Sequence, residues 1–299
     1  METTPDLPEA AQRRLNDGAF SSGLSVSDFA ACLEMGFEPV GFVQGFCAMQ
    51  WSSYASTNTV GQRGLSPYST TAGDYVENYQ CPHGMISAEH RMWGQNYQQP
   101  WIEKAWSEGF SSAYSRMLEE ASAVGAHGIV GVVDSVGQLS DTGVIEFHIR
   151  GTAVKVLELP PPTSSPWTTY LSGQRLIKLF EAGYAPVAIV AVVASVRVWA
   201  YCITEYLMGG TGVSLWGATN DPVEIEQIVS ARTHARNSVR ARARAQLHGD
   251  ALHAVTLVVN EREFQSGDLE VQSQLRGNRI RRFKDFEPLP VPQPTVRLS

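Results

Sequence analysis

At 299 residues, 43% apolar and 18% charged, the chain has the length of about two domains and the balance of a folded globular protein, which excludes wholesale disorder. Four cysteines without a CxxC pair exclude a disulfide scaffold, and the opening residues do not join a basic segment to an apolar run, so a reducing cytoplasm is the expected compartment. The net charge of −7 argues against general nucleic-acid affinity, but it is unevenly spread: residues 1–166 hold 8 Lys/Arg against 18 Asp/Glu, residues 167–299 hold 15 against 12.

Residues 1–23 lack sustained periodicity and read as a loose leading segment. Residues 29–33 predict a helical turn ended by Gly36, and the β-branched run 40–49 after Pro39 predicts a strand. An enlarged insertion, 50–100, follows; its tyrosines and the tryptophans Trp93 and Trp101 suit a contact surface for a protein partner. Ile102, Trp106, Phe110, Ala113, Met117, Ala121 and Val124 recur at steps of three or four, which gathers them on one face of a long helix ended near Gly125. Strands are expected at 129–133 and 145–156, with a hairpin-like connection between them.

Four prolines between Pro160 and Pro166 mark residues 157–170 as a linker. Beyond it, the apolar run 187–199 is interrupted by Arg197 before it reaches the roughly 18 residues of a membrane span, so it reads as a buried strand. Ile225, Ile228, Val229, Val239 and Leu247 mark a second helix, strands are expected at 254–259 and 269–280, and 284–299 is a proline-rich tail.

The two halves repeat each other. LSVSDFAACLEMGFEPVGFV from Leu24 aligns without gaps on LSGQRLIKLFEAGYAPVAIV from Leu171, at an offset of 147. AHGIVGVV from Ala126 answers ALHAVTLV from Ala251, and IRGTAV from Ile149 answers LRGNRI from Leu275. A tandem duplication is therefore expected, each copy running strand, helix, strand, strand.

Met117-Leu118-Glu119-Glu120-Ala121 leading into Gly125-Ala126-His127-Gly128-Ile129-Val130-Gly131-Val132, with Gly151-Thr152-Ala153-Val154 closing the last strand, resembles the YbjQ-like family, whose members are labelled heavy-metal-binding domains. The resemblance implies an α+β protein of two tandem, two-layer, dodecin-like domains. The first spans 24–156; the second, 171–283, is diverged, with Gly277-Asn278-Arg279-Ile280 at the closing motif. It further implies a homo-oligomeric ring, most simply a pentamer, in which acidic first copies would meet basic second copies.

For chemistry, the family label points to a divalent heavy metal, and Cys81, His83 and His90 in the insertion are the candidate ligands; their spacing matches no known zinc signature, and ordinary loop positions are the competing account. No other cofactor is expected. Nucleophile elbows, phosphate loops and metalloprotease helices are missing from the sequence, so a non-enzymatic scaffold or binding protein is the expected function, with metal or small-ligand binding the alternative. Arg232, Arg236, Arg240 and Arg244 recur every four residues and form one basic helical stripe. It reads as a solvated face, as an interface to an acidic domain, or as a site for a polyanion; without interleaved aromatics, nucleic acid is the least favoured.

Overall fold

The computed structural model describes residues 21–50, 76–78, 95–139, 144–160, 162–199, 226–263 and 269–284. In chain order the elements are α1 (Val26–Glu34), β1 (Phe37–Gln50), β2 (Val76–Asn78), β3 (Gln95–Gln98), α2 (Pro100–Ala123), β4 (Gly128–Leu139), β5 (Val144–Val156), β6 (Trp167–Thr168), α3 (Gly173–Glu181), β7 (Tyr184–Trp199), α4 (Glu226–Ala245), β8 (Ala251–Glu263) and β9 (Leu269–Arg282). The protein is α+β, with a four-stranded mixed sheet ordered β1-β5-β4-β6 and a five-stranded antiparallel sheet ordered β2-β3-β7-β9-β8.

The two halves follow one plan. At the offset of 147, α1 superposes in sequence on α3 with identical bounds, and the β-bulge after Pro39 recurs after Pro186. Local signals account for α1: Ser25 caps it by accepting from the Asp28 N–H at 3.1 Å, and Gly36 follows it at φ +74°. The second repeated block, on β4 and β8, aligns differently from the expectation. Gly131 at φ +60° and Ala254 at φ +51° stand at the same bulge, each one residue past the shift in register, so Gly128 corresponds to Ala251 and the offset is 123, not 125. A slip of two leaves the inward and outward faces of a strand unchanged, which is why the apolar pattern conceals it.

The layers alternate sheet, helix, sheet, helix. α2 buries Trp106, Phe110, Ala113, Met117 and Ala121 in one core with Val43, Cys47, Phe147 and Ile149 of the first sheet, and Ile189 and Val193 of the second sheet close that core from the other side. Trp106 stacks on Phe110 with ring centroids 5.1 Å apart and meets Phe147 edge-on at 5.9 Å. On the opposite face of β7, Val190, Val192, Ala194, Val196 and Val198 pack under Ala231, Ala235, Val239 and Ala243 of α4. β7 is thus covered on both faces, which accounts for its unbroken apolar run. β1 is covered on one: Val43 and Cys47 face α2, whereas Phe42 and Gln44 are half-buried and Phe46 is 48% exposed.

Each half also lends a strand to the other's sheet. β3, at the end of the first half's insertion, pairs with the edge of β7, and β6, within the span expected to be linker, pairs in parallel with β4. Trp167 explains Gly128 in the process, because a Cβ there would lie 2.1 Å from the indole ring. Among the described residues no helix is long and apolar enough to cross a membrane.

Candidate functional site

Several of the buried polar residues gather where the halves meet, whereas others, such as Glu120, which accepts from the Gln44 N–H at 2.9 Å, serve one half alone. Pro100 starts α2, and Glu103 in its first turn lies at the favourable end of the helix dipole. Glu103 is 1% exposed; its carboxylate accepts from Gln98 Nε2 at 3.0 and 3.1 Å and from the backbone N–H of Ser195 at 3.2 Å, and forms an ion pair with Arg242 of α4. A second pair joins Asp134 of β4 to Arg276 of β9 at 2.8 Å. Burial pushes the Asp134 carboxyl up and Arg276 opposes the shift; burial, followed by the Asp134 charge, pushes the neighbouring Tyr170 phenol up as well. The acidic first half and basic second half therefore answer each other inside one chain, through Arg242 and Arg276.

A neutral network within the second half holds the residues that follow β6. Asn278, fully buried, accepts from Thr169 Oγ1 at 2.8 Å and from the Tyr170 N–H at 2.7 Å, and donates to the His253 carbonyl at 3.2 Å. Thr168 Oγ1 accepts from the Ile189 N–H at 2.9 Å and lies 2.8 Å from the Tyr114 hydroxyl, fixing β6 between α2 and β7.

Of the arginine stripe, Arg232 pairs with Glu261 on β8 of its own half, which lowers the Glu261 carboxyl and raises the guanidinium. Arg236, Arg240 and Arg244 are exposed and make no ion pair with a described residue. Cys81, His83 and His90 lie outside the described residues; among those described, no group of three or more His, Cys, Asp or Glu could hold a metal ion. Cys32 and Cys47 are free and buried. His127 ties strand ends together: its Nδ1 accepts from the Val156 N–H at 3.1 Å and its Nε2 lies 2.8 Å from the Pro160 carbonyl.

What the sequence reading missed are the ends of the stack. At one end, the part of the first sheet's outer face that carries Phe42, Gln44 and Phe46 on β1 beside Arg150 and His148 on β5 has no described helix over it, whereas α1 and α3 cover the same face at Val130 and Val154. At the other end lie the outer face of α4 and the edge of β8, which pairs with no strand among the described residues and where Val255 is 48% exposed beside Val258 and Val259. The apolar character of β8 was legible; its position at an edge was not.

The chain is 28% identical over 196 residues to the encapsulin nanocompartment protein Rv1762c of Mycobacterium tuberculosis (strain ATCC 25618 / H37Rv), an alignment covering 64% of this chain and 62% of that protein. The chain thus matches less than two thirds of that relative's length. No solved structure matches the chain. No family model matches it either, which corrects the resemblance to the YbjQ-like family; the stoichiometry of five and the heavy-metal label lose the support of that resemblance. The glycines that carried the resemblance have local causes: Gly128 makes room for Trp167, and Gly131 adopts a left-handed conformation at a bulge.

Proposed function

We propose that this protein is a non-enzymatic scaffold that assembles with copies of itself, in the manner of a structural component of a larger protein compartment. The observation that carries the reading is the unequal pair of ends: an open sheet face with Phe46 exposed at one, an open helix face and free strand edge at the other. Two different surfaces at opposite ends suit head-to-tail contacts, which close into rings or run on as filaments. The description of the mycobacterial relative as a nanocompartment protein agrees with assembly. The buried carboxylates Glu103 and Asp134 are engaged in ties between the halves, and this supports a structural over a catalytic use.

Native mass spectrometry of the purified full chain at micromolar concentration is the test. A defined oligomer is expected. A monomer would refute the proposal.

A further inference from the structure

The contact between the two halves is a template for a contact between two chains. In the first half the edge of β4 is occupied by residues 167–171. The Trp167 N–H donates to the His127 carbonyl at 3.1 Å and the Thr169 N–H to Ile129 at 3.0 Å, while Gly131 and Val132 donate back to Leu171 and Thr169, each at 3.0 Å. In the second half the corresponding edge, that of β8, pairs with no strand among the described residues. We propose that it binds a second copy of this chain, whose residues 21–24 add to β8 as a parallel strand. This rests on the assembly reading above and names its interface.

Three independent observations support the proposal. The first is that the incoming segment is already held in the required arrangement. Tyr170 donates to Asn278 at 2.7 Å and Leu171 to Thr169 Oγ1 at 3.1 Å; at the offset of 147, Gly23 donates to Thr152 Oγ1 at 3.1 Å and Leu24 to Ser22 Oγ at 3.1 Å. Thr152 and Asn278 occupy equivalent register positions on β5 and β9. A segment fixed before docking loses little entropy when it docks.

The second is exposure. Positions buried at the contact between the halves are open wherever their repeat equivalents face outward: Val132 is 3% exposed and Val255 48%, and Val193 is 2% exposed and Phe46 48%. Gly173 of α3, buried against Asp28 of α1, corresponds to Val26, which is 89% exposed. Three large apolar side chains are thus solvated in the free chain, at the places where a neighbour covers their counterparts.

The third is conformation. Ala254 holds φ +51°, a left-handed value that a residue with a Cβ adopts at a cost of about 1–2 kcal/mol. At the equivalent Gly131 the same turn points the N–H at the Leu171 carbonyl. On β8 it points the Ala254 N–H toward the place a second copy's Leu24 carbonyl takes.

Docking in this way lays the second copy's open sheet face on α4, as β7 lies on α2. Along the helices the offset is 122, set by the buried pairs Ala113/Ala235, Met117/Val239 and Ala121/Ala243. Phe110, Tyr114 and Leu118 therefore correspond to Arg232, Arg236 and Arg240. The arginines would meet Phe42 and Phe46 of the second copy, with Glu146 in the same row as Ala48, so cation–π contacts and an acidic group replace the ring packing of the first contact.

The register makes the test specific. Ile129 stands opposite Thr168, so Leu252 stands opposite Ser21 of the second copy. In a background carrying Cys81→Ser and Cys202→Ser, chains with Ser21→Cys and chains with Leu252→Cys are co-expressed and mildly oxidised. A disulfide joining one chain of each kind is expected, and none when Val258→Cys replaces Leu252→Cys. Separately, Val255→Lys with Val258→Lys alters two exposed side chains of the edge; unchanged circular dichroism and at least a tenfold rise in the concentration of half-dissociation are expected. An oligomer that forms no Ser21→Cys/Leu252→Cys link and dissociates as before with both lysines overturns the β8 docking while leaving the scaffold reading in place; a monomeric parent protein overturns both.

Discussion

Replacing Glu103 by glutamine tests whether the halves are joined by charge or merely packed together. The carboxylate is 1% exposed and collects Gln98 Nε2, the Ser195 N–H and the Arg242 guanidinium, all of them donors. Glutamine keeps the shape but turns an NH2 group toward that cluster, so one donor loses its acceptor. Breaking a fully buried ion pair costs about 3–5 kcal/mol, and hydrogen bonds to a charged group about 1.5–3 kcal/mol. Because the Arg242 side chain is 40% exposed and water can take over its solvation, the lower range applies, about 2–3 kcal/mol. For a chain of this size that is a fall in melting temperature of about 3–5 °C. Urea denaturation followed by circular dichroism measures it. Adding Arg242→Gln closes a double-mutant cycle in which a coupling of about 1 kcal/mol is expected. A loss under about 0.5 kcal/mol, or strict additivity with Arg242→Gln, would refute the reasoning and leave packing alone as the joint.

Acid stability should report Asp250, which is held down at about 2 by hydrogen bonds first from Arg281 and then from Arg279. Since the folded carboxyl is more acidic than the unfolded one, its contribution is present above about pH 4 and disappears as the pH falls toward 2; Asp250→Asn should shrink the difference in urea midpoint between pH 5 and pH 2. Asn278→Ala should cost about 2–4 kcal/mol by stranding the Tyr170 N–H and the His253 carbonyl, and Asn278→Thr should recover part of this, because Thr152 makes the same backbone contact in the first half; thermal melts of both variants provide the comparison. Gly128→Ala should cost about 1–3 kcal/mol by pushing a methyl group into Trp167 and loosening β6, seen as a red shift in tryptophan emission; unchanged emission and stability would contradict the placement of that ring.

Much of this architecture was legible in the sequence, and the parts that were not have physical reasons. The offset of 147 showed because the ends of α1 and α3 carry a left-handed glycine and the strands that follow carry a proline at a bulge: Gly36 and Pro39 recur as Gly183 and Pro186. Strand β6 escaped notice because two residues cannot display a period, and the prolines before them signal a linker. The relation between the halves was hidden for another reason. Val187 to Val198 reads as a buried strand whatever covers it, so sequence alone does not say that one face belongs to α4 and the other to α2 of the opposite half. The charge asymmetry pointed to complementary halves but not to the residues involved, since Arg242 and Arg276 look no different in sequence from Arg236 and Arg240 until the layers are stacked.

The divergence of the second copy follows from where its faces lie. A face buried within the chain must fit one fixed neighbour, and α2 meets that demand with Phe110, Tyr114 and Leu118. The same face on α4 is exposed, and three large apolar side chains there would make a newly synthesised monomer prone to stick to anything apolar. Arginine resolves the conflict: it is hydrated in the free chain, yet its planar head stacks on a ring when one is offered. Arg232, Arg236 and Arg240 replace the large apolar residues Phe110, Tyr114 and Leu118, while the inward stripe of Ala235, Val239 and Ala243 stays apolar like its counterpart. The like charges four residues apart weaken the isolated helix by a few tenths of a kcal/mol per pair, and burial of the inward stripe against β7 and β9 offsets that cost.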